Sequence, residues 1–236
     1  VSSTNYVSSQ GWYDNTIAVH PTNANTVLAA GLDIYKSTNG GTTLTQKSHW
    51  NAGYDGAVPA GGPEGPPSYA HADHHAITYH PTNPGIVYFG CDGGVFASTD
   101  GGETFEGRNG GFVTTQFYAG FSNAETAPGI ALGGLQDNGT LKYEGNLSWN
   151  KTYGGDGGWC AIDARNANVM YEEYVNLAIS KTTDGGVSWF GATTGLPGGS
   201  SNANFIAPFV ISSSNPDVLY GGALVVNKTT NCGAGW

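Results

Sequence analysis

A short turn motif occurs four times in this chain and constrains its fold more than any other feature. Each copy begins with Ser or Thr, has Asp or Asn two residues later, and ends on an aromatic residue or Leu. A short Asp or Asn side chain that bonds its own turn, followed by glycines that accept a positive φ, is typical of a tight hairpin. The copies are Ser37 to Leu44 (STNGGTTL), Ser98 to Phe105 (STDGGETF), Thr182 to Trp189 (TTDGGVSW) and Thr229 to Trp236 (TTNCGAGW).

Short runs of β-branched and aromatic residues precede every copy. Before the second copy they are Ile77–Tyr79, Ile86–Phe89 and Val95–Ala97. This spacing predicts three strands, then the turn, then a fourth strand such as Phe112–Thr115. The interval between the second and third copies has room for a unit that lacks the motif, with runs at Gly129–Gly133 and Leu141–Tyr143.

Four-stranded units that repeat about every 40 to 50 residues are the signature of a β-propeller. A plain β-sandwich would explain the strands but not the repeat. We therefore predict an all-β fold, a β-propeller of four-stranded antiparallel blades with about five blades visible. The predicted units lie at about 12–46, 73–115, 116–150, 156–191 and 205–236, with a long loop at 47–72.

The two ends of the chain bear on how such a propeller closes. The chain begins with Val, and the fifth unit stops at the end of its turn motif, before a fourth strand. We expect residues 1–236 to form one propeller domain or a piece of a larger one. The N-terminal residues Asn5–Val7 could supply the missing outer strand; a further domain or self-assembly by strand addition are the alternatives.

Composition excludes several classes of partner. The net charge is -10 with only eight Lys plus Arg, a poor match for a phosphate backbone, so we expect no nucleic acid. No apolar run is long enough to predict a membrane span. Three cysteines without C-x-x-C spacing do not support a zinc site. We predict no cofactor, with a structural ion such as Ca²⁺ as the alternative.

The motif resembles the Asp-box, or BNR repeat, of sialidases, sortilin-type receptors and xyloglucanases. Longer stretches, His71 to Phe96, Leu135 to Thr140 and Gly155 to Asp163, are similar to secreted bacterial multi-blade BNR proteins. The resemblance implies a propeller, an extracellular or cell-surface location, and a glycosyl-hydrolase-like or binding role. A sialidase is disfavoured because that family uses three arginines on its substrate, and this chain has only Arg108 and Arg165.

The motif residues themselves are predicted to be structural. Asp or Asn hydrogen-bonds the backbone of its own turn, the Ser or Thr hydroxyl braces the same turn, and the glycines permit positive φ. Reading these acids as catalytic would therefore be a mistake. The structural set is Ser37, Asn39, Ser98, Asp100, Gly102, Thr182, Asp184, Gly186 and Asn231.

Strand parity predicts where function lies. In a four-stranded blade, the connectors that enter the first strand and the turns between the second and third strands share one face. That face collects carboxylates, imidazoles and aromatic rings, which suit a sugar: hydroxyls bond to acids, and pyranose C–H faces lie on rings. The long loop, with Trp50, Tyr54, Asp55, Glu64 and Tyr69, opens there too. The predicted ligand-binding residues are Trp12, Tyr13, Asp14, His71, His74, His75, Asp92, Asp137 and Trp159.

Three functions remain open on the sequence. We favour an extracellular propeller that binds a polysaccharide or a protein partner through this face. The first alternative is a glycoside hydrolase, which generally uses two carboxylates; Asp73 and Asp156 are the best pair. The second is a structural surface or filament subunit. The run His71-x-Asp73-His74-His75 has metal-ligand character, but neighbouring strand residues point to opposite faces, so only about half of them can converge.

Overall fold

The computed structural model is all-β and describes residues 2–54, 56–57, 62–112, 115–118, 120–196 and 202–236. Asp55 and the middle of the predicted strand at 112–115 lie outside these residues. The chain divides into two compact units, one of residues 1–54 and 58–113 and one of residues 55–57 and 114–236. Among the described residues, no helix has the length and apolar character needed to cross a membrane.

The first unit contains two four-stranded antiparallel sheets, each formed by consecutive strands in chain order. The inner three strands of each sheet are four to six residues long, whereas the outermost strand has only two. The first sheet consists of β1 (Thr16–Val19), β2 (Val27–Ala30), β3 (Ile34–Ser37) and β4 (Thr45–Gln46); the second consists of β6 (His74–Tyr79), β7 (Val87–Cys91), β8 (Gly94–Ser98) and β9 (Glu106–Gly107).

The second unit contains three antiparallel sheets. One has a fifth strand, β5 (Gly56–Ala57), which comes from the long loop and pairs with the outer edge of the fourth strand of that sheet. The strands are β10 (Ser122–Ala124), β11 (Ala127–Leu135), β12 (Gly139–Tyr143) and β13 (Asn150–Tyr153); β14 (Cys160–Ile162), β15 (Met170–Glu173), β16 (Ile179–Thr182) and β17 (Phe190–Gly191); and β18 (Phe209–Ile211), β19 (Leu219–Gly222) and β20 (Val226–Thr229).

Each unit has its own apolar core between adjacent sheets. In the first unit the core is built mainly from the second and third strands of its two sheets, with Leu28, Phe89 and Phe96 at 1% exposure or less. Phe105, the last residue of the second turn motif, packs its ring at 5.5 Å from Phe89. In the second unit Tyr171, Phe209 and other residues form the larger of two clusters. Burial of these rings is the main stabilising term of the fold.

The turn motifs share a core set of hydrogen bonds in each sheet that carries one. In the second sheet the Ser98 hydroxyl donates to Asp100 at 2.6 Å and accepts the Gly102 N–H at 2.7 Å. Asp100 also accepts the N–H groups of Glu103 and Thr104, both at 3.0 Å. The same pattern joins Ser37 to Asn39, Thr182 to Asp184 and Thr229 to Asn231, and Gly186 donates to Thr182 as Gly102 does to Ser98.

The outer strands differ from the sequence prediction. In the second sheet the fourth strand is Glu106–Gly107, directly after the turn motif. The fifth sheet has three strands among the described residues, ending with β20. Asn5–Val7 form no strand; Val7 lies against Gly31, and the Tyr6 ring is 6.3 Å from that of Tyr35. The N-terminal segment therefore covers the first sheet.

Candidate functional site

The candidate site of the first unit lies where β1 and β6 begin and where β7 turns into β8. Asp92, in that turn, accepts a hydrogen bond from the Tyr13 hydroxyl at 2.8 Å and contacts His75 Nε2 at 2.6 Å. The Tyr13 and His75 rings meet edge to face at 5.0 Å, and the Trp12 ring is 5.6 Å from Tyr13. Trp12 is 85% exposed and Tyr13 44% exposed, so the group forms an aromatic surface beside a carboxylate.

A pair of carboxyl groups lies beneath this surface. Asp14 is fully buried, and burial raises its pKa, while the neighbouring carboxyl of Asp73 acts in the opposite direction. Gln10 donates to Asp73 Oδ1 at 2.8 Å, and the Asp73 carbonyl accepts the Asp92 N–H at 3.3 Å. Asp73 has a positive φ of 64°, a strained conformation for a residue with a side chain. Asp14 is thus closed off from solvent beside Asp73, and its predicted role in ligand binding stays a prediction.

The histidine run does not converge on one point. His74 is fully buried against Phe89, donates from Nδ1 to the Gly31 carbonyl at 3.0 Å, and has a pKa lowered to about 4 by burial. His75, the next residue in the strand, points to the surface and contacts Asp92. His71 is 8% exposed. The alternation of the strand separates these imidazoles, so His74 braces the core and does not face a ligand.

The second unit holds the other predicted acids in backbone hydrogen bonds. Asp156 Oδ1 accepts the Asp137 N–H at 3.2 Å and the Tyr118 hydroxyl at 3.1 Å. Asp137 has a positive φ of 59°, as expected of a turn former. Trp159 is half-buried, packs against the apolar core and lies over Gly120. Asp156 and Trp159 thus lie in the segment that leads into β14. A catalytic role for Asp73 and Asp156 stays a prediction.

Two adjacent glutamates in β15 were not singled out in the sequence. Glu173 is fully buried and accepts three backbone N–H groups, from Trp159, Leu177 and Ala207, at 2.9–3.0 Å. Glu172 faces the other side of its sheet at 1% exposure, and burial raises its pKa to about 7. The signal for both was present: two consecutive acids inside an apolar strand must each find partners on opposite faces.

Comparison with known proteins yields structural likeness only. No protein-family model matches the chain, and no curated protein sequence does. Among solved structures, the GH74 enzyme of Niastella koreensis matches at 17% identity and TM-score 0.38, over 93% of this chain and 46% of that one. The GH74 xyloglucanase of Xanthomonas campestris matches at 12% identity and TM-score 0.37, over 92% and 36%. YCF48 bound to D1 peptide matches at 14% identity and TM-score 0.35, over 88% and 76%.

The chain thus spans less than half the length of the GH74 chains that it matches. Likeness at these identities and TM-scores carries no argument about function. The fold class, an all-β chain of five antiparallel sheets with repeated turn motifs, rests on the strands themselves. The function must be argued from the side chains.

Proposed function

We propose that the protein is a glycan-binding protein that contacts a polysaccharide through Trp12, Tyr13, His75 and Asp92. The observation that supports this most is the exposure of Trp12, at 85%, beside a second ring and a hydrogen-bonded carboxylate. An indole ring that is exposed at a surface favours contact with an apolar partner. Pyranose rings offer such C–H faces together with hydroxyls that can bond to Asp92 and His75.

Binding is better supported than hydrolysis by the state of the carboxyl groups. Asp92 already has a partner on each oxygen, the Tyr13 hydroxyl and His75. Asp156 is engaged by a backbone N–H, and Asp14 is fully buried. A glycoside hydrolase generally needs two carboxyl groups that flank the scissile bond with access to water. An extracellular location is part of the proposal, since plant and microbial cell-wall polysaccharides lie outside the cell.

Affinity electrophoresis through gels that contain plant or microbial polysaccharides tests the proposal. We expect at least one polysaccharide to retard the wild-type protein and Trp12→Ala to bind roughly fivefold more weakly, because one stacked ring contributes on the order of 1 kcal/mol. Leu147→Ala is the matched control, since Leu147 is 88% exposed and lies in the second unit.

The outcomes separate the candidate functions. Retardation that is lost in Trp12→Ala and kept in Leu147→Ala supports glycan binding at this surface. Equal retardation of wild type and Trp12→Ala would place the sugar elsewhere and overturn the proposal, as would no retardation by any polysaccharide. Release of reducing ends that disappears in Asp73→Asn or Asp156→Asn would instead establish hydrolysis.

A further inference from the structure

A concave surface lies within the first unit and is lined by none of the residues of the aromatic surface. It is a cleft of about 650 Å³, in the size range of ligand sites, between the segment 62–69 of the long loop and the two outer strands β8 and β9. Four aromatic rings line it: Tyr54, Tyr69, Phe96 and Phe105. Its polar side chains include Glu64, Thr99, Thr104, Glu106, Arg108 and Asn109.

Glu64 is the uncompensated charge of this cleft. Its carboxyl is half-buried, and burial raises its pKa, while His71 and the side chain of Asn109 act in the opposite direction. Arg108, the cation of the lining, is already paired with Glu106 at 2.7 Å. Among the described residues, the cleft therefore presents Glu64 as a carboxylate without an ion pair, among aromatic rings, a combination that favours an ammonium or guanidinium group.

The outer edge of β9 adds backbone hydrogen-bonding groups beside that carboxylate. The Arg108 N–H donates inward to the Val95 carbonyl at 2.7 Å. Because directions alternate along a strand, the N–H and C=O of Gly107 point outward, toward the cleft. A Cβ built on Gly107 would lie 3.2 Å from Glu64 Oε1, so the carboxylate sits directly over this edge. The adjacent outward N–H, of Phe105, is taken by the Pro67 carbonyl at 2.8 Å.

The second unit shows that the outer edge of such a sheet accepts another strand. There β5 pairs antiparallel with β13, in the register Asn150 to Ala57 and Lys151 to Gly56. Strand addition of this kind provides affinity through backbone hydrogen bonds and specificity through side-chain pockets. In the second sheet, β9 is the outermost strand and faces the cleft.

We propose that this cleft binds an extended peptide segment that adds to the edge of β9 at Gly107 and places a lysine or arginine side chain against Glu64. The aromatic walls cover the aliphatic part of that side chain, and Glu64 pairs with its charged end. The net charge of -10 attracts such a basic segment over longer distances. The proposal is independent of glycan binding, because it uses none of the residues of the aromatic surface.

Two pools of fluorescein-labelled pentapeptides test it on the full chain. Both pools vary every residue except the central one, which is lysine in one pool and acetyl-lysine in the other. Fluorescence polarisation measures binding at low and moderate salt. We expect the lysine pool to bind the wild-type protein roughly fivefold more tightly, with the difference shrinking as salt rises. A third pool, N-methylated at the lysine itself, should bind more weakly, because an antiparallel strand opposite Gly107 donates that N–H to the edge of β9.

The variants locate the site. Glu64→Gln should lower the affinity for the lysine pool to that for the acetyl-lysine pool. Two controls should leave the affinity unchanged: Glu125→Gln, at an exposed turn of the second unit, and Trp12→Ala. Equal binding of the two pools by the wild type overturns the proposal, and so does unchanged binding by Glu64→Gln. If Glu64→Gln proves unstable, the comparison of pools on the wild type still decides.

Discussion

Glu172 should make the stability of the protein depend on pH near neutrality. Its pKa rises from an ordinary value of 4.5 to about 7 because the carboxyl is buried, with Thr152 acting weakly in the opposite direction. The Thr152 hydroxyl lies 2.6 Å from Glu172 Oε2 and 3.1 Å from the Thr140 carbonyl. A hydroxyl has one proton. When Thr152 donates it to Thr140, a protonated Glu172 can donate to Thr152 in turn, and an ionised Glu172 cannot.

The sign and size of the effect follow from linkage. Below pH 4.5 the carboxyl is protonated in both the folded and the unfolded state, so the protein has its full stability. As the pH rises from 4.5 toward 7, the carboxyl ionises in the unfolded state but not in the folded state, and the free energy of unfolding falls. At about 1.4 kcal/mol per pKa unit, the loss above pH 7 is about 3 kcal/mol. Glutamine imitates the protonated acid, because its NH₂ can donate to Thr152. Glu172→Gln should therefore match the wild type near pH 4.5 and exceed its stability at pH 8 by up to about 3 kcal/mol.

Urea denaturation at pH 4.5, 6, 7 and 8 measures this difference, with Glu125→Gln as an exposed control. The control should follow the wild type at every pH. If the midpoints of wild type and Glu172→Gln stay parallel from pH 4.5 to 8, Glu172 ionises without cost and the reasoning fails.

Two further predictions concern the fold. Glu173→Ala should destabilise the protein by about 3 kcal/mol or more, since it leaves three buried N–H groups without an acceptor; a thermal midpoint within 2 °C of the wild type, roughly the smallest shift for 1 kcal/mol, would contradict this. Asp100→Ala should cost about 1–2 kcal/mol through lost turn hydrogen bonds, whereas Asp100→Asn should cost less, because Asn39 in the first sheet still accepts the N–H of the residue four positions later. Equal losses in both variants at pH 7 would mean that the negative charge matters more than the turn geometry.

The sequence predicted what depends on local patterns. Alternation and turn chemistry over a few residues predict the turn motif and the three strands before it. They also predict that Asp73 and Asp92 lie at the same end of the second sheet. A fourth strand after the turn was predicted, but its bounds were not, because two residues, as in Glu106–Gly107, carry no alternation to detect. The cleft beside Glu64 was missed because it depends on where a long glycine- and proline-rich loop lies against β9, which no local pattern encodes.

The repeat itself separates structural from functional positions. Where the units carry Asp or Asn at one position, as at Asn39, Asp100 and Asp184, the side chain closes the same turn each time. Such a position needs a short side chain with an acceptor oxygen. The position before the first strand carries Tyr13 in one unit and Asp156 in another, and each makes different bonds: Tyr13 supports Asp92 at an open surface, and Asp156 accepts a backbone N–H. The partners at this position thus differ from one unit to the next, and Tyr13, beside the exposed Trp12, is the one that we expect to contact a ligand.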